Sequence, residues 1–342
     1  MFSNDYLSGC HPIVLDAIVQ SNMEQTAGYG KDDYCERARL KIKEKLQKKD
    51  ADIHFLVGGT QTNKIVIETF LRPYQGVIAV ETGHIATHET GAIEATGHKV
   101  LTIPEINGKL TAKQLEAYYE AECHNHMHEH MVSPGMVYIS HPTELGTVYT
   151  REELKAIYEV CQKAGWPLFV DGARLGYVLN ERISDITLAD LAKYTDAFYI
   201  GGTKCGAMMG EAAVIMNPHY QKDFRSMIKR GGGLLAKGRL LGIQFDCLFS
   251  DHLYEDICYE AVRYALQIKK AFEEKGIQFL VDSTTNQQFP IVPDELAKEL
   301  QLAFGFSLWE KVDEKNTALR YCTSWATTPN EVLELIGFIH SL

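Results

Sequence analysis

From Ile53 to Met216 the apolar residues gather into brief runs, IHFLV, GVIAVE, HKVLTI, GMVYIS, PLFVD, DAFYI and EAAVIM, separated by stretches of helical length. Runs this short and this continuously apolar read as strands. Their alternation with helices predicts an α/β fold with a mostly parallel seven-stranded sheet covered by helices on both faces. Ahead of them, HPIVLDAIVQSN places Pro12 near a helix start and Val14, Leu15, Ile18 and Val19 on one stripe, so it reads as a short amphipathic helix. DDYCERARLKIKEKLQKK reads as a second helix.

After about residue 250 the pattern changes. A long helical stretch, DHLYEDICYEAVRYALQIKKAFEEK, leads into the short runs IQFL, QQFPIV, FGFSLWE and TALRYCT, with helices expected around 293–304 and 329–341. This mixture predicts a smaller α+β C-terminal domain. The expected division is an N-terminal segment, 1–22, packed with the small domain, a large α/β domain over 23–249, and the small domain over 250–342.

In a sheet of this kind ligands collect beyond the carboxyl ends of the strands. Five of the runs are followed there by polar or glycine-rich residues: GGT after IHFLV, ETGH after GVIAV, SHPTE after GMVYI, DGAR after PLFV and GGTK after DAFYI. These strand ends predict one cleft.

Composition narrows the class. The chain has 342 residues, 45% of them hydrophobic, and a formal net charge of -11 without a basic stripe, which argues against a nucleic-acid partner. No run approaches the roughly 20 apolar residues of a membrane helix. The eight cysteines form no CxxC pair or regular framework and nothing near Met1 reads as a signal peptide, so reduced thiols in a cytoplasm are expected. In CHNHMHEHM, four histidines alternate at 124, 126, 128 and 130. On a helix they would have the i, i+4 spacing that grips a metal, but no carboxylate or cysteine partner is arranged as in a known motif, and an exposed loop is the reading preferred.

The chemistry centres on WPLFVDGAR, 166–174, and DAFYIGGTKCG, in which Lys204 follows a strand and two glycines. Singly, Lys204 reads as a solvated lysine and Asp171 as a cap for GARLGYVLN. Together they resemble the floor of a pyridoxal phosphate site. Asp171 would pair with the protonated pyridine nitrogen, and Lys204 would hold the cofactor aldehyde as a Schiff base. The loop GGTQTN precedes a helical run and would offer the backbone N–H groups of Gly59, Thr60 and Gln61 to a phosphate. It lacks the GK[ST] ending of a P-loop and the GxGxxG of a dinucleotide site, so a nucleotide enzyme is disfavoured.

The segments FSNDYLSGCHP, AGYGKDD, FLVGGTQTN, VETGHIATHETGA, VDGARLG, GGTKCGA, RGGGLLAKG and ALRYCTSW occur in that order over nearly the whole chain. With them the sequence resembles the threonine aldolase and β-eliminating lyase group of fold-type I pyridoxal phosphate enzymes. The resemblance implies a lyase that cleaves a β-hydroxy-α-amino acid of the threonine or allo-threonine type to glycine and an aldehyde, with pyridoxal 5'-phosphate as cofactor. β-Elimination or racemisation on the same fold is the alternative, and a non-catalytic pyridoxal phosphate-binding protein is the reading from another class.

The resemblance also assigns residues. His84 would stack on the pyridine ring, Arg174 and Arg320 would clamp the substrate α-carboxylate with help from Ser3, and either His84 or Glu144 would serve as base. His88 shares a helix face with His84 but has no independent claim to the site. Arg230 and Lys237 around three glycines, and Tyr29, match stretches near a subunit boundary, which implies a homodimer or homotetramer with active sites at the interface. Where the family usually carries an ENTH-like segment this chain has SHPTELGT, 140–147, so that His141, Thr143 and Glu144 stand where side chains would meet the cofactor or the departing fragment.

Overall fold

The computed structural model describes residues 1–342. Helices α1 (Pro12–Gln20) and α2 (Asp33–Leu46) precede strand β1 (Asp52–Leu56). Then follow α3 (Gly59–Phe70), β2 (Gln75–Val80), the single turn α4 (His84–Thr87), β3 (Val100–Ile103), α5 (Ala112–Cys123), β4 (Ser133–Ser140), α6 (Arg151–Ala164), β5 (Leu168–Asp171) and α7 (Leu188–Tyr194). Strands β6 (Ala197–Gly201) and β7 (Glu211–Ile215) complete a seven-stranded sheet in the order β1-β7-β6-β5-β4-β2-β3.

The apolar runs are near-continuous because both faces are covered. Along β4, Val137 and Ile139 enter one core and Met136 and Tyr138 the other; along β6, Phe198 and Ile200 oppose Ala197 and Tyr199. The first face is covered by α1, α2 and α6, and the second by α3 and by α9 (Phe224–Arg230), which follows the turn α8 (Pro218–Gln221). Helix starts are written locally. Thr150 caps α6 and Glu153 returns the bond, a reciprocal pairing that satisfies two free donors.

Strand β7 is antiparallel to both β6 and β1, while β2 to β6 run parallel where they pair. The link from β6 to β7, residues 202–210, is shorter than the crossover of about a dozen residues that a parallel neighbour needs. Its reversal brings Glu211, the first residue of β7, to the sheet edge where the other strands end.

Two expectations about domain division are corrected. Only the first residues of segment 1–22 join the small domain: Phe2 lies in its core, Phe2 N–H donates to Phe304 O (2.9 Å) and Cys322 N–H to Phe2 O (2.8 Å). Helix α1 instead packs on the large core through Val14 and Ile18, beside α10 (Arg239–Leu248). Residue 250 is not a break in packing either. Helix α11 (Leu253–Glu274) puts Tyr254, Cys258, Ala261 and Val262 in the large core and Tyr264, Ala265, Ile268 and Phe272 in the small one, so one rod serves both.

The small domain carries β8 (Gln287–Gln288), β9 (Ile291–Pro293), α12 (Asp294–Phe304), β10 (Ser307–Lys311), β11 (Asn316–Cys322) and α13 (Pro329–Ser341). IQFL forms no strand and contributes one isolated bridge, Phe279 to Pro290. The histidines at 124–130 follow the end of α5 on an exposed connection, so the helical i, i+4 geometry does not arise there. No helix is long and apolar enough to cross a membrane, and all eight cysteines are unpaired.

Between β5 and β6 the backbones approach closely beside the strand ends. A Cβ on Gly172 would stand 1.9 Å from Tyr199 O, and one on Gly201 2.3 Å from Ala173 O. Gly172→Ala and Gly201→Ala are therefore each expected to cost at least about 1–3 kcal/mol, the usual penalty of overpacking. Urea unfolding midpoints of the two variants against wild type measure it.

Candidate active site

A cavity of about 220 Å³ opens at the carboxyl edge of the sheet and borders a wider cleft of about 800 Å³ walled by the small domain. Asp171 and Lys204 both line the smaller cavity. Asp171, at the end of β5, is buried and accepts four hydrogen bonds. Tyr199 Oη (2.6 Å) and Ala173 N–H (3.0 Å) reach Oδ1, and Tyr138 Oη (2.6 Å) and Asn63 Nδ2 (3.1 Å) reach Oδ2. Burial alone would raise its pKa. The His84 charge and the bonds from Tyr138, Tyr199 and Ala173 outweigh burial and hold it below the ordinary carboxylate value.

Lys204 sits on the β6–β7 link, with the Tyr177 hydroxyl donating to its carbonyl. Burial, and after it the Arg174 charge, lowers its amine pKa, against which Asp5, Asp171 and Glu211 act. Glu211 is buried beside it and accepts from Gly202 N–H (2.9 Å) and Thr203 Oγ1 (2.8 Å). Burial pushes the Glu211 carboxyl up to about 8, although both bonds and Lys204 pull it down.

Gly59 and Thr60 line the same cavity at the start of α3, and Gly58 ahead of them supplies no side-chain cap. The first-turn amides are thus left to a ligand. A Cβ on Gly59 would fall 2.9 Å from Tyr199 Oη, a close approach that only glycine permits. Gln61 is not among the residues that line the cavity, and its side chain turns away to Val57 N–H (3.2 Å) and Gly231 O (3.4 Å).

His84 begins α4 and lines both cavities. Its Nδ1 is 2.8 Å from Oε1 of buried Glu89, which also accepts from Asn63 Nδ2 (2.7 Å), so Asn63 ties the histidine to Asp171. Burial would lower the His84 pKa, but the Glu89 bond and the charges of Asp171 and Glu89 raise it. His88, without an independent claim from sequence, stands with its ring 5.6 Å from that of His84 and lines the wider cleft.

Arg174 is half-buried and holds Asp5 with two bonds, Nε to Oδ2 (2.7 Å) and Nη2 to Oδ1 (3.0 Å). Arg320 reaches the wider cleft from β11; its Nη2 donates to Asn4 Oδ1 (2.7 Å) and Ser3 O (3.2 Å), and its buried Nε has no partner. The N-terminal residues that line the cleft are therefore Asn4 and Tyr6, while Ser3 contributes its carbonyl to Arg320 and to Ser307 (3.0 Å). In an extended segment neighbouring side chains face opposite ways, so a slip of one residue exchanges their roles.

The 140–147 segment divides similarly. Glu144 lines both cavities, its Oε1 accepting from Ser140 Oγ (2.6 Å) and His84 N–H (2.9 Å) and its Oε2 buried without a partner. Thr143 borders the smaller cavity. His141 reaches neither. It is buried with both ring nitrogens unpartnered, its ring 6.2 Å from that of Tyr149. Arg230, Lys237 and Tyr29 stand outside both cavities of their own chain; Arg230 pairs with Glu68. Sequence reading passed over Asn4, Asp5, Asn63, Glu89, Tyr138, Tyr199 and Glu211. Only the adjacency of Asn4 and Asp5 to Ser3 offered a signal.

Burial, with the Lys109 charge adding to it, lowers the His141 pKa from 6.5 to about 4. The folded protein then binds fewer protons than the unfolded chain between those values. The stability contributed is complete above the unfolded pKa and is lost as pH falls toward the folded one. Between pH 7 and pH 5 wild type should lose about 2 kcal/mol more than His141→Leu. Denaturant titrations of both proteins at the two pH values give the comparison.

The family model described as Beta-eliminating lyase matches residues 3–293. A low specificity L-threonine aldolase from Pseudomonas sp. (strain NCIMB 10558) is 29% identical to the chain, over 100% of it and 97% of the relative. The structure of threonine aldolase from Leishmania major is 45% identical, with a TM-score of 0.96 over 99% of this chain and 98% of that one. Cystalysin from Treponema denticola, whose structure contains a pyridoxal 5'-phosphate cofactor, shares the fold at 15% identity, with a TM-score of 0.71 over 99% of this chain and 91% of its own.

Proposed function

The chain belongs to the beta-eliminating lyase family, and on that premise we propose that it is a pyridoxal 5'-phosphate-dependent carbon–carbon lyase of the threonine aldolase kind. It cleaves a β-hydroxy-α-amino acid to glycine and an aldehyde. The observation that supports the cofactor is the donor set of one cavity: an ionised buried carboxylate with no cation in contact, a half-buried amine of lowered pKa, and an uncapped helix start. These suit, in turn, a ring nitrogen that carries a proton, an aldehyde, and a phosphate.

Bound there, pyridoxal phosphate supplies an aldehyde that joins the substrate amine and a ring that accepts electrons from a bond at Cα. Asp171 keeps the proton on the ring nitrogen, since its own pKa stays low. Lys204 would hold the cofactor aldehyde and yield it to the substrate amine, and the burial that lowers its pKa favours the uncharged amine this requires. The amides of Gly59 and Thr60, with that of Gln61 next in the turn, would hold the phosphate, and His84 would cover the ring.

Arg174 and Arg320 orient the substrate carboxylate. Asp5 occupies Nε and Nη2 of Arg174 and fixes the plane of the guanidinium, so Nη1 is the edge left to the substrate. Arg320 adds its unpartnered Nε. The clamp would fix the orientation of the substrate at Cα and so select which of its bonds is broken. Arg230, Lys237 and Tyr29, standing away from their own cavity, serve a second copy of the chain in this reading.

Purified protein loaded with the cofactor should release glycine and an aldehyde from at least one of L-threonine, L-allo-threonine, phenylserine and serine. No glycine from any of them removes the aldolase reading. Lys204→Ala should lose the visible absorbance of the loaded protein together with turnover. Arg320→Ala should raise KM about 10- to 100-fold with a smaller change in kcat, the loss expected of a charge-assisted hydrogen bond used in binding.

A further inference from the structure

In the reaction proposed above, the ring lies in the smaller cavity and the fragment that leaves from Cβ lies in the wider cleft, so the hydroxyl that loses its proton stands at the boundary between them. Only four residues line both spaces: His84, Glu144, Arg174 and Lys204. Arg174 is permanently protonated. Lys204, freed once the substrate amine has taken the aldehyde, stands beside the ring and is left for the proton that returns to Cα. The choice therefore falls between the histidine and the carboxylate.

His84 has its Nδ1 on Glu89, whose side chain is fully buried, and this contact together with the Asp171 charge favours the protonated ring. To the extent that the ring holds a proton, it is the poorer acceptor of a second one. Glu144 differs. Its Oε1 is pinned by Ser140 Oγ and the His84 N–H, which fixes the carboxylate at the boundary, and its Oε2 has no partner at all. A carboxyl oxygen left bare inside a protein is costly, and such atoms are retained where a ligand completes them. Gln287 of the small domain also touches the Glu144 carbonyl (3.5 Å), so the segment is braced from both sides of the cleft.

Resting on the aldolase reading, we infer that Glu144 is the catalytic residue that takes the proton of the substrate β-hydroxyl. The O–H bond breaks toward the Glu144 carboxylate, and the electrons released on oxygen form the C=O bond of the departing aldehyde as Cα–Cβ breaks. The electron pair of that bond remains with the glycine-derived fragment, which takes a proton at Cα, and Glu144 gives its own proton back to solvent. No oxidant or reductant is required. Burial, aided by Asp171 against the Ser140 bond, raises the Glu144 pKa toward the range in which a carboxylate accepts a proton well.

The test uses the cofactor-loaded wild type, Glu144→Gln and Glu144→Asp. Glu144→Gln should lower kcat for L-threonine and L-allo-threonine about 10²- to 10⁴-fold, the worth of a positioned base. Its affinity for glycine, read from the change in visible absorbance, and its exchange of the glycine α-hydrogen in D₂O, read by NMR, should stay close to wild type, because glycine has no hydroxyl. Glu144→Asp should recover part of the lost turnover. The inference is overturned if Glu144→Gln cleaves at the wild-type rate, or if glycine binding and exchange fall as far as cleavage, which would make Glu144 a support for the cofactor. A wild type that exchanges glycine and cleaves no β-hydroxy amino acid overturns the aldolase reading instead, and this assignment with it.

Discussion

A negative charge buried at a strand end, with no cation touching it, is the constraint around which the sheet edge is arranged. Asp171 remains ionised because the His84 charge and the bonds from Tyr138 on β4, Tyr199 on β6 and the backbone just beyond β5 outweigh its burial, with Asn63 of α3 as a fourth donor. A carboxylate in such surroundings would otherwise protonate. The same donors fix where it points. Asn63 carries the arrangement outward, since its amide also binds Glu89, and Glu89 in turn binds His84. The floor of the cavity and the residue that covers it are thus held by one connected set of hydrogen bonds.

Much of the fold was readable in the apolar runs, because strands buried on both faces leave little room for polar residues. Direction was less readable. The antiparallel course of β7 follows from the length of residues 202–210, a cue separate from hydrophobicity. The two cores were hidden for a different reason: α11 is an unbroken helix whose amphipathic stripe passes from one core to the other without any change in pattern.

Within the site, Lys204 and Asp171 were legible because each closes an apolar run and is followed by glycine or small residues. Tyr138, Tyr199 and Asn63 were not, since their polar tips belong to residues that otherwise read as core or helix. Their meaning appears only when strands distant in sequence lie side by side. Ser3 and His141 were named from motif position alone, and the cleft is lined instead by their neighbours Asn4, Thr143 and Glu144. Motif position locates a segment, but a step of one residue decides whether a side chain enters the cleft or the core.

The N-terminal residues close the structure in an unexpected order. Phe2 is bonded at its N–H to Phe304 and at its carbonyl to Cys322, and Asp5 then reaches across to Arg174. Phe2 and Asp5 are translated long before residues 304 and 322, on which Phe2 is anchored. The large sheet can assemble while this segment waits without a place, so the pairing of Asp5 with Arg174 is among the late contacts of the growing chain.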